Sequence, residues 1–407
     1  MSILRNIQVA RQYNVTPATV GNWIEQARNN KIKITLTSVN GKYYIEDSAE
    51  NRLELERLKQ QGVKFRSKQN DVVKVNVDPK IYDIFTEEQL VSLFVNISYY
   101  NFIPVKLSYT GEGAFHFDAG FRKSIENPIS GQSLELSLIE KYFESISKRI
   151  IIENSKDSKK INLIELGADN STYAVIDGLH FLKDHDFLNK YISVGISEDM
   201  AKIRQDNIKN ELDVETSKYI FDIEENVLRN ILFKEKENNS YINLCTLLFS
   251  SLSNIRNVPA LLGNLVESLS PDDYLLVSTI LGDDTGNDRV QNKNSQSVVK
   301  RHSWLLDLLG LTPYISAQFF DYEVGTRKRS GYFIMNRDVE VTFQINGKEY
   351  PILLERDKKI TFFVSYRYVI GELMSFFKNA GFVIDQFNTD SEERFGLFLL
   401  RIKKRSI

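Results

Sequence analysis

Residues 148–179 read KRIIIENSKDSKKINLIELGADNSTYAVIDGL, and the fold turns on them. Ile161 to Leu166 is a short, mostly apolar run interrupted by Asn162 and Glu165, the pattern of a buried strand. Gly167 then opens a polar turn, and a helical pattern begins at about Ser171. Strand, glycine turn and helix form the opening unit of a nucleotide-binding, doubly wound sheet, because the backbone must bend sharply there and approach a ligand whose polar groups sit near the helix N-terminus. Any strand-to-helix turn can carry one glycine, so the weight comes from the run of further strands downstream. YISVGI (191–196) predicts a second strand, after which Ser197 opens a helix with an acidic first turn. YIFDI (219–223), INLCTLLF (242–249) and YLLVSTIL (274–281) predict a third, fourth and fifth. Strands alternating with helices predict an α/β fold with a parallel sheet and a ligand at the carboxyl ends of its strands.

Around this core, the cofactor domain spans 151–290 and a helical segment precedes it at 81–150. A second, mixed α+β lobe is expected over 291–407, completing the substrate site, because YFIMNRDVEVTFQING (332–347) and YPILLERDKKITFFVSYRY (350–368) alternate like antiparallel strands. Residues 63–80 read as a polar connector with room for one strand, and 1–62 as a separate small domain.

In that head, IQVARQYNVTPATVGNWI (7–24) carries two short helical patterns, with Thr16 at an N-cap position before Pro17. KIKITLTSVNGKYYIED (31–47) is two alternating runs joined by Asn40-Gly41, a strong hairpin signal because both residues tolerate positive φ. Ser48 then caps a helix ended by Gly62. The order helix, turn, helix, hairpin, helix resembles the winged-helix DNA-binding domains of the MerR type and of excisionases. That resemblance implies base contacts from Thr16, Ala18, Thr19 and Asn22, and phosphate contacts from Arg11, Arg28, Lys31, Lys33 and Lys42. It also implies a homodimer on paired half-sites; a protein-interaction domain of the same fold is the alternative.

The chain has 407 residues, 42% hydrophobic and 11% aromatic, which excludes a disordered chain. No apolar run approaches the roughly 20 residues needed to span a bilayer, so no membrane partner is expected. The single cysteine, Cys245, cannot close an intrachain disulfide and points to the cytoplasm. The four histidines lack metal-ligand spacing: His180 and His185 miss the i, i+4 pairing. The net charge of −2 divides unevenly, with twelve Lys and Arg against six Asp and Glu in residues 1–68 and forty against forty-eight in the rest. A basic head on an acidic body is compatible with a nucleic-acid module.

The blocks IPVKLSYTGEGAFHFD (103–118), LIELGADNS (163–171), YISVGIS (191–197), FDI (221–223), LLFSSLSN (247–254), FFVSYRYVIGELMSFFKNAGFVIDQF (362–387) and FGLFLLR (395–401) stand in one order. In that order they resemble the histidine-specific S-adenosylmethionine-dependent methyltransferases, which make the betaine precursor of ergothioneine. The resemblance covers about residues 102–402 and implies a methyltransferase sheet with S-adenosylmethionine as cofactor. It implies a cofactor site at Gly167, Ser171, Gly195, Asp222 and Ile223, and a substrate site at Tyr109, Ser251, Asn254, Ile334, Phe363 and Ser365. No catalytic side chain is expected, since the methyl donor is already activated and the protein aligns the reactants.

This chain departs from the family at five points, one being that no tyrosine occurs between Thr285 and Trp304, where the family places one for the substrate head. Asp169 replaces a second glycine; Gly195 stands where the ribose-binding acid belongs, with Ser197, Glu198 or Asp199 as substitutes; Phe249 and Ser250 replace a glycine pair and are expected to crowd the methyl end. Phe363 replaces the imidazole-binding acid, so free histidine is not the expected acceptor, and a small molecule or peptide is. On this reading Gly195→Asp raises cofactor affinity. The alternative is a DNA-binding regulator whose body is a degraded sensor or scaffold. A DNA-base methyltransferase is disfavoured, because the nearest approach to its motif, Asn257-Val258-Pro259, lies past the fourth strand.

Overall fold

The computed structural model describes residues 3–403 except 5, 14, 16, 30, 40–41, 47, 49, 60–71, 129, 155–158, 168–171, 238–239 and 284–294. The chain divides into two units, Met1–Val73 and Lys74–Ile407.

In the first unit, β1 (Ile3–Leu4), α1 (Asn6–Gln12), α2 (Pro17–Arg28), β2 (Leu36–Val39), β3 (Lys42–Glu46) and α3 (residues 50–59) come in order. β3 is the centre of a three-stranded antiparallel sheet, with β1 and β2 at its sides. Val9, Tyr13, Val20, Trp23, Ile24, Ile45 and Leu55 form the core. Buried Asn51 ties α3 to the strands: its carboxamide accepts from the Thr35 amide at 2.8 Å and donates to the carbonyls of Thr35 and Glu46 at 2.9 Å each. Thr16 and the Asn40-Gly41 turn lie outside the described residues, as do the side chains of Arg11 and Lys42.

β4 (Val73–Asn76) begins at the last residue of the first unit, and in the second unit α4 (Ile81–Ile84), α5 (Glu87–Tyr100), α6 (Glu112–Ile125) and α7 (Gly131–Asn154) follow it. The alternating region is β5 (Lys160–Leu166), α8 (Thr172–Asp184), β6 (Leu188–Gly195), α9 (Glu198–Glu211), β7 (Glu215–Ile220), α10 (Arg229–Glu235), β8 (Tyr241–Leu247), α11 (Val258–Ser268) and β9 (Tyr274–Ile280). Then come α12 (Ser295–Leu308), β10 (Ile315–Glu323), β11 (Lys328–Met335), β12 (Val339–Ile345), β13 (Lys348–Leu354), β14 (Lys359–Tyr366), α13 (Ile370–Ala380), β15 (Phe382–Thr389) and β16 (Phe395–Ile402).

The main sheet has seven strands in the order β15-β16-β9-β8-β5-β6-β7. β5 to β9 are mutually parallel, while β16 lies antiparallel between β9 and β15. From β5 the chain winds outward through β6 and β7, then crosses back to β8 on the other side of β5. The strand order therefore reverses between β5 and β8, and loops leaving their carboxyl ends diverge to open a crevice there.

The lobe expected over 291–407 is split. β10-β11-β14 and β13-β12-β4 form two small sheets, but β15 and β16 return to the main sheet, and β16 buries Phe395 to Leu400 against β9. The connector's one strand, β4, pairs with β12. The third strand covers Glu215–Ile220 instead of the expected 219–223: as an edge strand it alternates in burial, so Glu215 to Lys218 lack an apolar signature.

Candidate functional site

A cleft of about 530 Å³, counted to its open mouth, lies at the carboxyl ends of the parallel strands, a size that suits small ligands and cofactors. Four strands contribute in turn: Gly167 after β5, Gly195 and Ile196 at β6, Phe221 to Glu224 after β7, and Leu247 at the end of β8. Ser251, Asn254 and Ile255 continue from β8, and Val105, Lys106 and Tyr109 close the opposite wall from a 3-10 turn, Val105–Tyr109.

That turn is pinned from several directions. Trp304 Nε1 donates to the Ser108 carbonyl at 3.1 Å, Asp199 accepts from the Gly111 amide at 2.8 Å, and the Ile103 amide donates to the Thr361 carbonyl of β14 at 2.8 Å. Gly113 makes the packing possible, since a Cβ there would stand 1.9 Å from the Ser108 carbonyl oxygen. Lys106 thereby reaches across the cleft, its Nζ 2.7 Å from Asp222 Oδ2, 3.6 Å from Glu225 and 3.9 Å from Glu224. Burial pulls the Lys106 ammonium down, but Glu224, Asp222 and Glu225 together outweigh it and hold its pKa above the usual lysine value.

Beneath the first turn sits a buried ion pair, Arg204 Nε with Glu165 Oε1 at 3.0 Å. Arg204 also donates to Ser193 Oγ and to the Gly167 carbonyl, each at 3.1 Å, while Glu165 accepts from Tyr191 and from Thr172. Buried charges need such full satisfaction to be tolerated. The network fixes the Gly167 carbonyl against Gly195, where a Cβ would stand 2.2 Å from that oxygen. Gly195 is thus a requirement of the backbone. An acid cannot be restored there without moving the turn, which overturns the expectation that Gly195→Asp raises affinity. Nor are the expected substitutes spare: Ser197 Oγ accepts from the Met200 amide at 3.1 Å to cap α9, Glu198 pairs with Lys218, and Asp199 holds Gly111.

After β8 the backbone is left-handed at two consecutive residues that are not glycine, Phe249 (φ 50°) and Ser250 (φ 59°). Each such residue costs about 1–2 kcal/mol. Buried Glu135 of α7 compensates by accepting from the Ser250 amide and hydroxyl at 2.8 Å each and from Ser278 Oγ at 2.5 Å, and Ser278 Oγ accepts from the Phe249 amide at 2.9 Å. The Phe249 ring packs edge-on to Phe121, 4.6 Å between centroids, and does not line the cleft. Its expected crowding of the methyl end is therefore corrected: the left-handed backbone aims the ring into the core.

Of the residues named from sequence, Gly167, Gly195, Asp222, Ile223, Tyr109, Ser251 and Asn254 line the cleft. Asn254 does not cap α11, a role that Asn257 fills by accepting from the Ala260 amide at 3.2 Å. Ser251 Oγ donates to the Leu248 carbonyl at 2.6 Å. Ser171 and Asp169 lie outside the described residues. Three residues are not in the cleft lining. Ser365 is buried and accepts from Arg367 at 2.6 Å. Phe363 packs with Phe102, Val105 and Tyr109 behind the wall. Ile334 pairs with Lys359, three positions along β11 from Gly331, the partner of Phe363, so the two do not form one pocket wall. The lining also holds residues with no contact expected from sequence: Lys106, the lysine of the block 103–118, and Ile196, Glu224 and Ile255, whose types carry no motif. Among the described residues, no group of three or more His, Cys, Asp or Glu side chains is placed to hold a metal ion, and no helix is long and apolar enough to cross a membrane.

No protein-family model matches the chain, and no curated protein is significantly similar to it. Solved structures that the comparison finds similar to the chain include S-adenosylmethionine-dependent methyltransferases. Magnesium protoporphyrin IX methyltransferase from Synechocystis PCC 6803, with bound S-adenosylhomocysteine, is 10% identical and has a TM-score of 0.37, the match covering 72% of this chain and 98% of that one. The CcbJ methyltransferase of Streptomyces caelestis is 10% identical with a TM-score of 0.34, over 64% of this chain and 89% of that one. The 1,6-didemethyltoxoflavin-N1-methyltransferase of Burkholderia thailandensis is 9% identical with a TM-score of 0.33, over 72% and 89%.

Proposed function

We propose that the chain is an S-adenosylmethionine-dependent methyltransferase acting on a small-molecule or peptide acceptor other than free histidine. The observation that carries this reading is one cleft at the strand-order reversal, lined by the carboxyl ends of four successive parallel strands, with Gly167, Gly195, the acid and hydrophobe Asp222-Ile223, and Leu247. The residues fit the cofactor. Ile196, Ile223, Leu247 and Ile255 offer apolar faces for an adenine ring, and the carboxylates of Asp222 and Glu224 offer acceptors for its amino and hydroxyl donors. When bound, the cofactor supplies a methyl group activated by its sulfonium.

The chain's own residues then position the acceptor and exclude water. Tyr109, Ser251 and Asn254 line the cleft beside Gly167, and the Asn254 carboxamide, with no hydrogen bond among the described residues, can both donate to and accept from an acceptor's polar head. These residues would hold the acceptor in place for the transfer, and the acceptor's proton would pass to solvent. The order of the sequence blocks supports descent from the histidine-specific family, while the placement of Phe363 and Ser365 outside the cleft supports a different acceptor.

Calorimetric titration with S-adenosylmethionine and S-adenosylhomocysteine tests this reading. Micromolar binding is expected; no binding at millimolar ligand overturns it and favours the regulator with a degraded body. For Met1–Val73 we propose a winged helix that binds DNA, a reading supported by its basic excess and by the exposed Lys31 and Lys33.

A further inference from the structure

The acidic wall of the cleft contains one carboxylate that accepts no hydrogen bond among the described residues. Each oxygen of Asp222 already accepts one bond: Oδ2 lies 2.7 Å from Lys106, and Oδ1 accepts from the Glu224 amide at 3.0 Å. Glu225 is 71% exposed and is not part of the lining. Glu224 lines the cleft with its side chain only 27% exposed, and its carboxylate accepts no hydrogen bond among the described residues, Lys106 standing off at 3.9 Å. Burial pushes its pKa up, and the neighbouring Asp222 and Glu225 add to this, against the pull of Lys106 and Arg256. A carboxylate so placed gains most from donors that a ligand brings with it.

Across the cleft, the end of β6 presents Gly195, which cannot bear a side chain because the Gly167 carbonyl oxygen would be 2.2 Å from its Cβ. Ser197, Glu198 and Asp199 are each bonded elsewhere. A ligand with neighbouring hydroxyls seated over the ends of β6 and β7 therefore meets in Glu224 a carboxylate that no donor of the described residues occupies.

We propose that Glu224 accepts the hydrogen bonds of the ribose hydroxyls of a nucleoside-bearing ligand in this cleft, in place of the side chain that Gly195 cannot carry. This rests on the cofactor reading of the same cleft. The test is calorimetric titration of the full chain and of Glu224→Gln with S-adenosylhomocysteine and with its 2′-deoxy and 3′-deoxy ribose analogues. In the natural chain, removing a hydroxyl that bonds a carboxylate should weaken binding about tenfold or more. In Glu224→Gln, S-adenosylhomocysteine should bind about tenfold more weakly and the deoxy analogues should lose less than about threefold further. The ratio between ligands is measured within one variant, so it does not depend on how much of that variant is folded. A Glu224→Gln variant with the full deoxy penalty overturns the proposal and leaves the cofactor reading standing. Failure of the natural chain to bind S-adenosylhomocysteine overturns both.

Discussion

Replacing Gly195 by alanine adds one methyl group at the point where two strand ends come closest. Its carbon would stand 2.2 Å from the Gly167 carbonyl oxygen and 3.2 Å from the carbonyl carbon. An ordinary contact needs more than about 3 Å, so the two backbones must part by about 1 Å, a strain on the order of 1–3 kcal/mol. Neither is free to do so. The Gly167 oxygen accepts from Arg204 at 3.1 Å, its amide donates to the Val194 carbonyl at 3.0 Å, and the Gly195 carbonyl accepts from the Phe221 amide at 2.8 Å. Losing one of these adds about 1 kcal/mol, giving about 2–4 kcal/mol in all. The two tryptophans report on different units, Trp23 in the first and Trp304 in the second. Urea unfolding monitored by Trp304 fluorescence in a Trp23→Phe background therefore isolates the affected unit. Gly195→Asp carries the same Cβ and should lose at least as much stability, with weaker S-adenosylhomocysteine binding in both variants. If Gly195→Ala unfolds within about 0.5 kcal/mol of the parent, the close approach of the two strand ends is not real and the reasoning fails.

Glu135→Ala leaves the Ser250 amide and hydroxyl without their buried acceptor and should destabilise the second unit by about 3 kcal/mol, read in the same urea assay. Adding Ser250→Gly should recover about 1 kcal/mol, because glycine adopts the left-handed backbone without penalty; no recovery would show that Ser250 carries no strain. In the first unit, Lys31→Ala with Lys33→Ala should lower duplex affinity across sequences and flatten the salt dependence by about 2 in logarithmic slope. Arg28→Ala should change it less, since Arg28 is paired with Glu25 at 2.8 Å and stacked 4.6 Å from the Tyr43 ring centroid. An unchanged slope in the double lysine variant would remove DNA binding from the head.

Local sequence is enough to locate the parallel strands and the turns that carry ligand-facing residues. A strand buried on both faces is largely apolar, so 161–166, 191–196, 242–249 and 274–281 announce themselves without neighbours. Gly167 and Asp222 are legible for a related reason: a doubly wound sheet places its site at strand ends, and strand ends are local features. Three features arise instead from packing between distant segments. β7 is an edge strand whose half-exposed face hides its first residues from an apolar reading. β15 and β16 join the main sheet because β16 pairs with β9, a partner more than a hundred residues away that no local pattern names, and β15 pairs with β16. At the site, Lys106 meets Asp222 across 116 positions, and Gly195 excludes a side chain because of a carbonyl contributed by another strand. Periodicity reports which face of an element is buried; the atoms that face it depend on how separate elements pack, and in this cleft that packing determines which carboxylate is left to a ligand.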